Sequence, residues 1–365
     1  MDEDSIDDEI FIESIKQLRR EVEAGIGVRS CRKLVVDLAD GGLARADLDV
    51  LTEGLSKIKG VISAEFYLFN CKLADESLNN ILEMLISKNK DTLEEIKLEL
   101  TENSLGANSL LGIFEASNSV PNLKKINIDL SGNSLSKGSF TSSPIKLKLS
   151  QLKFLKLSLE ETNLPGNLAE QLLDELLRQP SIKTLVINLT SCSYGFNDEC
   201  VDALLKGSFS NLDLTFARAD YLQVRSLILG LPRMANRFNK MKLDLSSTFK
   251  LPADDFIDWS TVVIDTYKAK SGNKMDIEET TNESQTGGLA SSKEQMPDTE
   301  GIEDDLEAMM MNDPEYREMV ASFKQKSAVK KSTDKTVLLK ECFIDGQAMK
   351  IARKLGDCLN VNIVV

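Results

Sequence analysis

Residues 93–105 read LEEIKLELTENSL, and residues 123–135 read LKKINIDLSGNSL. Laid over one another they share a template, L-x-x-L-x-L-x-L-x-x-N-x-L. It is filled by Leu93, Ile96, Leu98, Leu100, Asn103 and Leu105, then by Leu123, Ile126, Ile128, Leu130, Asn133 and Leu135. The apolar alternation predicts a short strand with one buried face. The Asn position marks where the chain turns away from that strand.

The template recurs in both directions. Leu152, Leu155, Leu157, Leu159, Thr162 and Leu164 fit it, as do Ile182, Leu185, Ile187, Leu189 and Cys192, with Tyr194 closing. Upstream lie Val61, Ala64, Phe66, Leu68, Cys71 and Leu73. Before them come Cys31, Leu34, Val36, Leu38 and Leu43, with Gly41 at the Asn position. Weaker copies follow at Phe209, Leu212, Leu214 and Phe216, and at Phe238, Met241, Leu243 and Leu245. The eight registers start roughly 27 to 32 residues apart, the signature of a repeat architecture. The second half of each repeat carries helical spacing, as at Leu78, Leu82 and Leu85, or Leu168, Leu172 and Leu176.

Over roughly residues 30–265 the chain resembles the leucine-rich repeat family, in its ribonuclease-inhibitor-like, long-repeat class. The resemblance implies an α/β fold: a curved solenoid with parallel strands on the concave face and helices on the convex face. It also implies that the concave surface is the interaction face.

The flanks divide the chain further. Residues 1–29 make an acidic start and an N-terminal capping helix, with Phe11, Ile15, Leu18 and Val22 on one stripe across 8–24. Residues 30–268 hold about eight repeats, ending in a helix expected after Pro252 with Phe256, Trp259 and Val263. Residues 269–333 are rich in Ser, Thr, Gly and acidic residues and turn basic at 324–335. Their composition predicts a disordered loop carrying a short Met-rich helix, LEAMMMNDPEYREMVASF. Residues 334–365 return to the template at Val337, Leu339, Cys342 and Ile344. They are expected to form the final repeat or C-terminal cap.

Composition narrows the function. Of 365 residues, 42% are hydrophobic and 28% charged, enough for a core, and none is histidine. That absence removes His-based acid/base catalysis, Ser-His and Cys-His pairs, and His-ligated metals. No P-loop, G-x-G-x-x-G, G-x-S-x-G or kinase signature occurs, so no enzyme activity and no cofactor is expected. The net charge of −14 argues against nucleic acid and anionic membranes as partners. The start MDEDSIDDEI has no secretory signal character, no run spans a membrane, and the scattered cysteines form no metal or disulfide pattern. A cytoplasmic location, with the nucleus as the other choice, is the expectation.

Within each strand the residues between apolar positions should face out of the concavity. One such column reads Asp37, Tyr67, Glu99, Asp129, Ser158, Asn188, Thr215, Asp244, with four carboxylates and no cation. Its neighbour reads Val35, Glu65, Lys97, Asn127, Lys156, Val186, Asp213, Lys242. The first column predicts a groove for another protein, one with a basic or mixed-charge surface, contacted by Asp37, Tyr67, Glu99, Asp129 and Asp244. Met309, Met310 and Tyr316 of the Met-rich helix form a second candidate contact, since methionine suits adaptable helix docking. The combined reading is a non-catalytic protein-binding scaffold. Its alternative is a regulator of an enzyme, such as a leucine-rich-repeat GTPase-activating protein, a family that also pairs such a solenoid with an acidic C-terminal region. A ubiquitin-ligase substrate receptor is a third reading, and it lacks a preceding F-box-like segment.

Overall fold

The computed structural model describes residues 7–25, 28–136, 145–192, 194–247, 335–338, 353 and 361–364. They form an α/β fold around one 12-stranded sheet in which every strand pair is parallel. Its strands are β1 (Asp7–Ile12), β2 (Arg29–Asp37), β3 (Ile58–Lys59), β4 (Ser63–Tyr67), β5 (Glu95–Glu99) and β6 (Lys125–Asp129). Then come β7 (Phe154–Ser158), β8 (Thr184–Asn188), β9 (Asn211–Thr215), β10 (Lys240–Asp244), β11 (Lys335–Leu338) and β12 (Asn362–Val364). They lie side by side in chain order, except that the two-residue β3 pairs off the main path with the start of β2.

Seven described helices connect them: α1 (Ile15–Glu23), α2 (Arg45–Ser56), α3 (Asp75–Asn89), α4 (Ala107–Asn118), α5 (Gly166–Leu177), α6 (Asp198–Lys206) and α7 (Tyr221–Arg237). Alternation explains why they gather on one side. Leu34 and Val36, Ala64 and Phe66, or Ile96 and Leu98 are buried and join the helix residues Leu51, Leu82 and Leu110 in one core. Burying such a side chain contributes about 1.5–3 kcal/mol before conformational entropy is counted. Parallel sheets are usually covered on both faces. Here the described helices cover one, and the residues between the buried positions stay mostly half-exposed on an open face.

The strand exits share a backbone device. Asp40, Asn70, Glu102, Gly132, Glu161, Ser191, Arg218 and Ser247 all have positive φ, from 52° to 70°, three residues beyond their strand's last residue. At the Asn position, Asn103 Oδ1 accepts from the backbone N–H of Cys71 (3.0 Å) and Leu73 (2.9 Å), while its Nδ2 donates to the carbonyls of Leu68 (2.7 Å) and Leu100 (3.0 Å). Asn133 repeats the pattern one turn on, accepting from Asn103 and Leu105 and donating to Leu100 and Leu130. One side chain thus satisfies backbone groups of two adjacent repeats. Where Cys71 and Cys192 replace Asn, the thiol donates one bond across the repeats, to Leu38 O (3.0 Å) and Leu159 O (2.9 Å).

Three expectations change. The helix over 8–24 begins only at Ile15, because Ile10 and Ile12 pair in register with Leu34 and Val36 and take the buried positions of β1. Phe11 therefore leaves the helical stripe and is 51% exposed on the open face. Between β6 and β7 no helix forms among the described residues. Instead Ile145, Leu147 and Leu149 lie buried in an extended strap between α4 and α5. Asn118 clamps the strap from one side, donating to Lys146 O (2.8 Å) and accepting from Lys148 N (2.7 Å). From the other side Gln179 and Ser181 donate to the carbonyls of Leu147 and Leu149.

At the far edge, β11 pairs with β10, with Val337 buried opposite Leu243, and β12 pairs with β11. The helix expected after Pro252, the segment 269–333 with Met309, Met310 and Tyr316, and the template positions Leu339, Cys342 and Ile344 lie outside the described residues.

Candidate functional site

The strand register brings the expected column together. Asp37 pairs with Tyr67, Tyr67 with Glu99, Glu99 with Asp129, Asp129 with Ser158, Ser158 with Asn188, and Asn188 with Thr215, which pairs with Asp244. These residues form one ladder across eight strands of the open face. A second ladder runs Phe11, Val35, Glu65, Lys97, Asn127, Lys156, Val186, Asp213, Lys242 and Thr336. A third, absent from the sequence reading, runs Glu9, Lys33, Ser63, Glu95, Lys125, Phe154, Thr184, Asn211 and Lys240.

Two column members are not solvent-facing. Val35 is 4% exposed, because Phe11 stands in register beside it. Ser158 is also 4% exposed, enclosed by Ser131 Oγ at 2.9 Å and Asn188 Nδ2 at 3.2 Å. Pleat parity assigns a face, but in-register neighbours decide exposure.

The carboxylates of the first ladder are already engaged. Asp129 Oδ1 accepts from Ser131 N (3.0 Å) and Ser131 Oγ (2.5 Å), and Asp244 Oδ1 from Ser246 N (3.1 Å) and Ser246 Oγ (2.6 Å). Asn188 makes the same pair with Thr190, at 3.0 and 2.7 Å. These local bonds fix the chain as it leaves the strand, the Asx-turn role of such side chains. Glu99 instead meets Lys97 of the neighbouring ladder at 3.2 Å.

Lys97 belongs to a longer network across β1, β2, β4 and β5. Glu9 lies 3.1 Å from Lys33 and Lys33 3.4 Å from Glu65. Tyr67 Oη donates to Glu65 at 2.7 Å, and Lys97 Nζ sits 3.1 Å from Tyr67 Oη and 4.5 Å over its ring. Burial opposes ionisation of Glu65, yet Tyr67 and Lys33 outweigh it and hold its carboxyl below the usual value. Burial likewise opposes the Lys97 charge, and Tyr67 and Glu99 reverse the effect, raising its pKa. On the adjoining strands Lys125 pairs with Glu95 at 3.2 Å. Signs alternate along this half of the face, so its charges cancel locally.

The other half differs. β7 and β8 present Phe154, Lys156, Thr184, Val186 and Asn188, half-buried and nearly uncharged. On β9, Asp213 lies 3.9 Å from Lys242, with burial pushing its carboxyl pKa upward despite that partner. Alternation could have flagged Phe154 and Val186, as apolar residues in polar columns.

Cys31, Cys71, Cys192 and Cys200 are buried, and burial raises the pKa of Cys71, Cys192 and Cys200, keeping these thiols protonated. Among the described residues no His, Cys, Asp or Glu cluster could hold a metal ion, and no helix is long and apolar enough to cross a membrane. No protein-family model matches this chain, and no curated protein matches it significantly in sequence.

Proposed function

We propose that this chain is a leucine-rich-repeat protein of the ribonuclease-inhibitor-like, long-repeat class, acting without catalysis as a scaffold that binds another protein. Binding uses the open face of the parallel sheet, concave in this family. One observation carries the reading: three ladders of side chains stand in register on a face that no described element covers, while the helices pack on the other. A rigid, repeating surface of this kind suits an extended protein partner. The buried thiols of Cys71, Cys192 and Cys200, which form no disulfide, fit a reducing compartment, so we place the protein inside the cell, in the cytoplasm or nucleus. A partner with a basic surface, as the acidic ladder suggests, would compete with Lys97, Ser131 and Ser246 for these carboxylates.

The test is comparative affinity capture with mass spectrometry. Ser63→Lys, Thr184→Lys and Thr215→Lys together place bulk and charge along the open face. Glu83→Lys with Glu115→Lys alters exposed helix positions instead. A partner lost with the first variant and kept with the second supports the reading. The reverse pattern moves the interface to the helices.

A further inference from the structure

The open face is asymmetric in how its polar groups are satisfied. On β1 to β6, Glu9, Lys33, Glu65, Lys97, Glu99, Glu95 and Lys125 are matched among themselves. Covering them would strip water from charges that have nothing left to offer a partner. Interface centres are depleted of charge and built on apolar anchors.

β7 and β8 meet that description. Phe154 and Lys156 stand two residues apart on one face of β7, and Val186 is the Cα partner of Lys156 on β8. Among the described residues the Lys156 side chain makes no ion pair and no hydrogen bond, although it acts electrostatically on Asp213, two strands away and beside Lys242. On its other side the Cα partner is Asn127, whose buried Oδ1 also has no hydrogen-bond partner. An unmatched ammonium thus stands beside two apolar side chains, Phe154 on its own strand and Val186 on the next.

We infer that the partner contact centres on Phe154, Lys156 and Val186, and that this patch takes an acidic protein segment in which a carboxylate is flanked by apolar side chains. The inference rests on the open-face reading above and adds the partner's chemistry. The carboxylate completes a charge-assisted bond with the Lys156 ammonium. The apolar neighbours cover Phe154 and Val186. Nucleic acid fits less well, since a phosphate backbone needs a stripe of cations and β7 and β8 offer one lysine to this face.

The experiment uses the full chain and arrays of short synthetic peptides in which Glu is interleaved with Leu and Phe, a matched array with Lys for Glu, and a thymidine oligonucleotide. The expected result is binding to Glu peptides. It falls about tenfold or more in Lys156→Gln and Val186→Ser, survives in Lys156→Arg, and is unchanged in Lys88→Gln, an exposed position of α3. Circular dichroism melts establish that each variant is folded. Glu-peptide binding that Lys33→Gln or Lys97→Gln abolishes while Lys156→Gln does not, or a preference for Lys peptides lost in those variants, overturns this patch but keeps the open face. Oligonucleotide binding lost in Lys156→Gln replaces the protein partner with nucleic acid. Binding insensitive to every open-face change overturns both readings, and no binding to any probe overturns this patch while the partner capture above still decides the open face.

Discussion

Single residues carry the repeat in two ways, through φ and through buried amides. Gly132 occupies, at φ 70°, the left-handed position that Glu102 and Glu161 hold at φ 56°. A Cβ there would lie 3.2 Å from Glu102 Cγ. Gly132→Ala should therefore cost about 1 kcal/mol in urea unfolding. Asn133 is buried and closes four backbone bonds, so Asn133→Ala should cost about 2–4 kcal/mol and loosen both flanking repeats. The Asn position was legible from the template, whereas the left-handed turn was not, since Asp, Asn, Glu, Gly, Ser and Arg all fill it. Asp213 gives a pH test. Its pKa is raised by burial, so ionisation disfavours the folded state, and this penalty vanishes once the group is protonated in both states. Asp213→Asn should raise the melting temperature at about pH 7 and leave it unchanged at about pH 3.

Among elements, the strands with alternating Leu and Ile were readable because period two is unambiguous there. At the N-terminus, DEIFIESIKQL supports two periods at once: Ile10 and Ile12 at strand spacing, Phe11, Ile15 and Leu18 at helical spacing. Pairing with β2 decides for the strand, a tertiary choice invisible locally. The strap of Ile145, Leu147 and Leu149 also alternates, yet it lies in the helix layer, where the side chains of Asn118, Glu175, Gln179 and Ser181 hold it by hydrogen bonds. Asn118→Ala leaves the Lys146 carbonyl and Lys148 amide unpaired on that side. Tryptic cleavage after Lys146 and Lys148 should then accelerate, with the melting curve only slightly shifted. By contrast, Leu157→Asp places an unpaired charge in the core, where Leu157 is 1% exposed, and should abolish cooperative melting. A parent-like melt would refute the strand register.

For the whole molecule, stability passes between nearest neighbours, because each strand touches only those beside it in the sheet. Removing residues 248–365 takes away β11 and β12 and uncovers the β10 edge. The shortened chain should melt lower, with amide exchange of Met241 and Leu243 accelerated far more than that of Ile96 or Leu98. The serial strand order also bears on how the chain is made. From β2 to β10 each strand pairs with one synthesised about thirty residues earlier, so most of the sheet can assemble as the polypeptide leaves the ribosome. β11 breaks that rhythm, since Lys335 pairs with Met241 across roughly ninety residues, and closure over that span costs about 1 kcal/mol more than over thirty. The far edge is therefore the last to be sealed during biosynthesis, and until then β10 presents an unpaired edge to the other nascent chains and chaperones around it.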